Sequence, residues 1–120
     1  MITEEFARDF AQKWIESWNS HDLDKILAYY TDDFVINTPM AAVLKPDSGG
    51  VVEGELAVRE YWQVGLSRIP DLRFDLLDVL SGVQSVTIYY VNTATNRRSV
   101  EMMFFSEAGK VNRAFVNYAG

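Results

Sequence analysis

The chain has no cysteine and a single histidine among its 120 residues. Without cysteine there is no disulfide, no thiol nucleophile and no thiolate metal site. Positive charge is also scarce: 11 Lys and Arg stand against 17 Asp and Glu, for a net charge of −6. A surface of that sign repels phosphate backbones, so nucleic acid is not expected as a partner. No apolar run approaches the roughly 20 residues of a membrane span, so no membrane partner is expected either. The opening MITEEFARDF is acidic and amphipathic, unlike a secretory or transit segment, which leads to the expectation of a cytoplasmic protein. Glycine-rich phosphate loops, a serine elbow and zinc-ligand spacing do not occur, and no cofactor or metal is expected. Asp22, Asp24, Asp32 and Asp33 lack paired histidines and read as helix caps and solvated charges.

What is present is bulk. Apolar residues make up 48% of the chain, with three Trp, six Tyr and seven Phe. A chain of this length forms one domain, residues 1–120, and buries about two-thirds of its unfolded surface.

Thr3 precedes two glutamates and suits a helix N-cap. Phe6, Phe10, Trp14 and Trp18 then recur every four residues, a helical stripe that ends near Asn19. Ser20 or Asp22 caps a second helix with the apolar face Leu23, Ile26, Leu27 and Tyr30, closed by Thr31, Asp32 and Asp33. The lone His21 falls in the turn between the two helices, where capping is a more natural role than catalysis. Phe34 to Asn37 reads as a short strand stopped by Pro39. Residues 39–53 hold two prolines and a Gly pair and predict a loop, with a hairpin tip at Asp47 to Gly50. A third helix begins near Gly54, buries Val58, Tyr61, Trp62 and Leu66, and stops at Pro70.

From Leu72 onward the period changes to two. Leu72, Phe74 and Leu76 alternate with Arg73 and Asp75, and Val83–Val91, Arg98–Phe105 and Val111–Tyr118 follow as strands. Helices first and antiparallel strands last predict an α+β fold with the helices on one face of a meander. In Val100-Glu101-Met102-Met103-Phe104-Phe105 both alternating faces are apolar apart from Glu101. Three helices cover only one face of four strands. The other face, with Met102, Phe104 and Phe115, therefore predicts a homodimer.

Several motifs in this order resemble the nuclear transport factor 2-like superfamily, and within it the SnoaL-like and ketosteroid-isomerase-like small proteins. They are Trp18-Asn19-Ser20-His21-Asp22-Leu23-Asp24, Tyr30-Thr31-Asp32-Asp33-Phe34 leading to Pro39, Gly54 through Val58-Arg59-Glu60-Tyr61-Trp62, and Phe105-Ser106-Glu107-Ala108-Gly109-Lys110-Val111. The resemblance implies a cone: three N-terminal helices packed against a curved, mainly antiparallel β-sheet that encloses an apolar pocket. By position it places Trp14, Trp18, Tyr30, Tyr61 and Trp62 on the pocket wall. From the strands it adds Val86, Ile88, Tyr90, Glu101, Met103, Phe105, Ala114, Val116 and Tyr118. Asn37 and Tyr118 suit the orienting of a ligand or the satisfaction of backbone groups near a strand end.

The same resemblance assigns chemistry. Ketosteroid isomerases use a carboxylate base together with a tyrosine and a protonated acid that hold an oxyanion. The base falls at Thr38, the tyrosine at Trp14 and the acid at Glu101. A hydroxyl is no general base at neutral pH without a neighbour to take its proton, so the family's steroid isomerisation is not implied. Glu101 is the strongest candidate, because desolvation among Met and Phe residues favours the neutral acid. Two alternatives stand beside it: an ion pair with Arg59, Arg97, Arg98 or Arg113, or a one-residue register shift that turns Glu101 outward. The expected function is binding of a small hydrophobic molecule, with cofactor-free acid/base isomerisation or polyketide-type cyclisation by Glu101, Trp14 and Thr38. The alternative is a non-catalytic ligand-binding or dimeric assembly domain.

Overall fold

A computed structural model describes residues 1–120. Helix α1 spans Glu4–Ser20. The Thr3 hydroxyl accepts from the Phe6 amide at 3.0 Å, as an N-cap does. His21 ends the helix with a left-handed φ of 59°, and its Nε2 donates to the Leu72 carbonyl at 2.7 Å. The lone histidine is thus a helix stop tied to the segment just ahead of the strand that begins at Phe74. Asp22 is the residue that caps α2 (Leu23–Leu27), accepting from the Asp24 and Lys25 amides.

The sheet has six strands: β1 (Tyr30–Asn37), β2 (Val51–Glu53), β3 (Phe74–Ser81), β4 (Ser85–Asn92), β5 (Arg97–Phe105) and β6 (Val111–Tyr118). Their order is β2-β1-β6-β5-β4-β3, antiparallel except for the parallel pair β1 and β6. It curves without closing around α1 and α4 (Glu55–Arg68), which is the cone expected from the sequence.

Three local expectations are corrected. Tyr30 does not continue α2 but opens β1, and Thr31 to Asp33 belong to that strand rather than closing a helix. Between the pairs Tyr30–Val111 and Val35–Arg113 the β1 register shifts, so the extra residues bulge and keep Asp32 and Asp33 exposed. Residues 39–53 are not simply a loop. Thr38 caps a short helix, α3 (Pro39–Leu44), with Pro39 at its first position, where a missing N–H costs nothing. A 3₁₀ turn over Pro46–Ser48 follows, Gly49 and Gly50 take positive φ, and β2 returns to pair with β1. Finally, β3 begins at Phe74 rather than Leu72, and its register shifts between Leu76 and Asp78, which leaves Leu76 partly in solvent.

Inside the cone Trp14, Phe34, Ile26, Ile88, Met103, Val58, Val86 and Val111 are essentially sealed. Alternation along β5 sends Ser99, Glu101, Met103 and Phe105 inward and leaves Val100, Met102 and Phe104 half-buried on the outer face. The register with Glu101 inward is therefore the one adopted. No helix is long and apolar enough to cross a membrane.

Candidate functional site

The cone does not fill to its mouth. A cavity of about 210 Å³ lies between the second half of α4, the end of β1 and the inner faces of β4, β5 and β6. Tyr61, Trp62, Gly65, Leu66 and Ile69 line it from the α4 side, with Trp18 from α1 and Leu72 and Phe74 entering β3. Ile36, Thr38 and Met40 close the β1 side. The sheet contributes Tyr90, Asn92, Arg97, Ser99, Glu101, Val116 and Tyr118, with Thr95 from the β4–β5 turn.

Glu101 is 5% exposed, and its Oε1 accepts a hydrogen bond from the Tyr90 hydroxyl at 3.1 Å. Its Oε2 has no protein partner and is not sealed off, so it presents to the cavity. None of the four arginines reaches it. Arg59 pairs with Asp24 at 2.7 Å, Arg98 donates to the Tyr89 hydroxyl, Arg97 stacks on Tyr118 and Arg113 on Phe104. With no cation to offset it, burial pushes the Glu101 carboxyl up to about 7, the Tyr90 hydrogen bond opposing. The effect is mutual. Burial and the Glu101 charge hold the Tyr90 phenol well above its ordinary range.

Facing this acid is a group of hydroxyls. The Thr38 and Tyr118 hydroxyls lie 3.4 Å apart, and Tyr61 shares the same wall. Burial raises the Tyr61 and Tyr118 phenols, with Thr38 hydrogen bonding opposing in both. They are therefore neutral donors at ordinary pH. The Thr38 hydroxyl also accepts from the Met40 amide as the α3 cap, at 3.4 Å.

Of the residues assigned by position, Trp18, Thr38, Tyr61, Trp62, Tyr90, Glu101, Val116 and Tyr118 come together around the cavity. The others are elsewhere. Trp14 is fully buried, and its indole N–H is committed to the Tyr30 hydroxyl at 2.9 Å, which in turn points at the Met103 sulfur. Trp14 therefore cannot stand in for a substrate-holding tyrosine. Tyr30, Val86, Ile88, Met103, Phe105 and Ala114 are buried in the core deeper in the cone and do not line the cavity. Asn37 turns to the outer face, on the rim of a shallow depression with Phe115 and Asn117. The cavity residues that position alone did not assign include Asn92, Arg97 and Ser99. Arg97 and Ser99 share the parity of Glu101 along β5, a period-two signal that was available in the sequence. No group of three His, Cys, Asp or Glu side chains is placed to hold a metal.

With this geometry in view, the chain can be compared with known proteins. The SnoaL-like domain model matches residues 11–114, and the chain belongs to that family. Among solved structures, a SnoaL-like protein of unknown function from Burkholderia thailandensis is 39% identical over 99% of this chain and 98% of its own, with a TM-score of 0.94. At 19% identity, SalBIII, an epoxide hydrolase/cyclase-like enzyme of pyran ring formation in salinomycin, covers 99% of this chain and 95% of its own, with a TM-score of 0.73. TerC, crystallised with polyporic acid, is 13% identical over 94% of this chain and 91% of its own, with a TM-score of 0.75. At those identities the last two share the fold. Among functionally curated proteins none matches.

Proposed function

We propose that the protein binds a small hydrophobic carbonyl or enol compound in this cavity and moves a proton on it without a cofactor. The observation that carries the reading is Glu101: buried, without a cation, and facing the cavity with one free oxygen. A carboxyl near pH 7 populates both forms at neutral pH, so it can take a proton from carbon and return it. Tyr90 fixes its orientation. The Thr38, Tyr61 and Tyr118 hydroxyls supply neutral donors for an oxygen whose charge grows during the transfer. That SalBIII, a cyclase-like enzyme, and TerC with its polyporic acid share the fold is consistent with an acid/base pocket of this kind.

The test uses 2-tetralone, a neutral bicyclic ketone with acidic protons beside its carbonyl. Wild-type protein in D₂O should accelerate exchange of those protons, read by NMR, and Glu101→Gln should lose about a hundredfold or more of that acceleration. Binding of the ketone without accelerated exchange would leave a non-catalytic ligand-binding domain. That second reading draws on Thr38, which occupies the place of the family base and serves as a helix cap.

Self-association is proposed on separate grounds. The outer sheet face carries Met102, Phe104 and Phe115, with the two phenylalanine rings edge to face at 6.1 Å, and on the edge strand β3 Leu77 and Leu80 are about half exposed. Such a face suits a second copy of the chain. Light scattering should give a dimer mass, and Phe104→Glu should give a monomer. A monomeric wild type at micromolar concentration refutes it.

A further inference from the structure

Arg97 is the one cationic side chain on the cavity wall. The chain carries more acid than base. Arg8, Lys13, Lys45, Arg59 and Arg73 each lie within 4.0 Å of a carboxylate; Arg97, like Lys25, Arg68, Arg98, Lys110 and Arg113, does not. It is nonetheless held in place. Its guanidinium carbon sits 4.3 Å from the centre of the Tyr118 ring, a stacking that fixes the plane and leaves the edge N–H groups free. Around it are the half-exposed end of the cavity and the polar Asn92 and Thr95. The one acid on the cavity wall, Glu101, lies two inward-facing positions deeper on the same strand. Its Cα is about 13 Å from that of Arg97 at the usual strand rise.

Resting on the reading of this cavity as a ligand site, we infer that its ligand is a monocarboxylate. The anionic end is held at the mouth by Arg97, and the apolar body lies inward towards Glu101. A planar fork of donors matches a carboxylate in two parallel hydrogen bonds, and no acidic side chain at the mouth competes for it. Size sets the other limit. The volume of about 210 Å³ falls below the roughly 300 Å³ at which pockets for drug-sized molecules begin, so one or two rings fit. The arrangement also orients the ligand. A carboxylate anchored at Arg97 directs the opposite end, where a carbonyl or enol oxygen would be, at the Glu101 carboxyl and the Thr38–Tyr118 hydroxyls.

The experiment compares 2-naphthoate with 2-naphthamide, equal in shape and different in charge, by quenching of the emission of Trp18 and Trp62 at pH 6 and low salt. Wild-type protein should bind the acid about tenfold more tightly than the amide, the lower end of what a charged hydrogen-bonded pair contributes at a half-exposed site. Arg97→Gln should bring the ratio to about one, and Arg97→Lys, which keeps the charge but not the fork, should fall between. A wild-type ratio of one or less overturns the inference, as does a preference that survives Arg97→Gln in a variant that melts like the wild type. If 2-naphthamide and 2-tetralone bind and the acid has no advantage, the carboxylate assignment fails while the hydrophobic site stands. If no probe binds, both fall.

Discussion

The floor and the mouth of the cone are built from similar residues and differ in what surrounds them. On the floor, Trp14 stacks on Phe74 at 5.8 Å, meets Tyr90 edge-on at 5.3 Å and donates to Tyr30, with every polar atom used inside the protein. At the mouth, Tyr61, Tyr118 and Arg97 keep polar atoms turned towards open space, and Glu101 holds a carboxyl at the boundary. The floor is where burial stabilises the fold. The mouth is where the fold gives up close packing, and a protein retains an uncompensated buried acid there at a cost to its own stability.

The largest expected contrast is in stability. Trp14→Ala removes a sealed aromatic group and strands the Tyr30 hydroxyl, so urea unfolding should show a loss of about 3–5 kcal/mol. Leu66→Ala enlarges a space that is already open, and should lose less than about 2 kcal/mol. Equal losses at the two positions would show that the mouth is packed in solution and that the comparison is false.

How much of this contrast was legible beforehand depends on the kind of signal. Which residues share a face is local: the four-residue stripe from Phe6 to Trp18 and the alternation along β5 sorted the side chains, while the inward facing of Glu101 came from the resemblance and its register is settled by the sheet. How deep a side chain lies within the cone is not local. Val86, Ile88 and Met103 share a face with Tyr90 and Glu101, yet only the latter two reach the cavity, because the taper is set by how α1 and α4 sit in the sheet. The Trp14–Tyr30 hydrogen bond joins residues 16 apart across two elements and leaves no local trace. Helix α3 escaped for another reason. Pro39 reads as a breaker, whereas behind the Thr38 cap it starts a helix.

An intermediate effect comes from pH. The Glu101 carboxyl rises from an ordinary 4.5 to about 7 on folding, so the folded chain binds the extra proton between those values. Its neutral form is the one the fold tolerates. The contribution of this group is therefore most favourable below pH 4.5, is lost as pH climbs through 7, and stays lost above that. The span corresponds to roughly 3 kcal/mol. Glu101→Gln has no proton to lose. Its stability relative to wild type should increase across that window by about this amount and be flat on either side, as measured by urea unfolding at fixed pH. A constant difference from pH 4 to 8 would mean the acid is hydrated or paired, and that floor and mouth do not differ in the way described.

The smallest effect separates two meanings of Thr38, which stands at the boundary of floor and mouth. Its hydroxyl accepts the Met40 amide as a helix cap and lies 3.4 Å from the Tyr118 hydroxyl. Thr38→Val should remove the cap and cost about 1 kcal/mol, while Thr38→Ser, which keeps the oxygen, should cost a few tenths. If the hydroxyl only caps and positions, proton exchange from 2-tetralone should fall in Thr38→Val no further than a lost donor implies, about tenfold, with the pH midpoint unmoved because Glu101 sets it. The Tyr118 phenol should rise further once its Thr38 hydrogen bond is gone, visible in its ultraviolet titration. Loss of all exchange in Thr38→Val, with the helix intact by circular dichroism, would instead make Thr38 a participant in the proton transfer. Glu101 would then be half of the machinery rather than its centre.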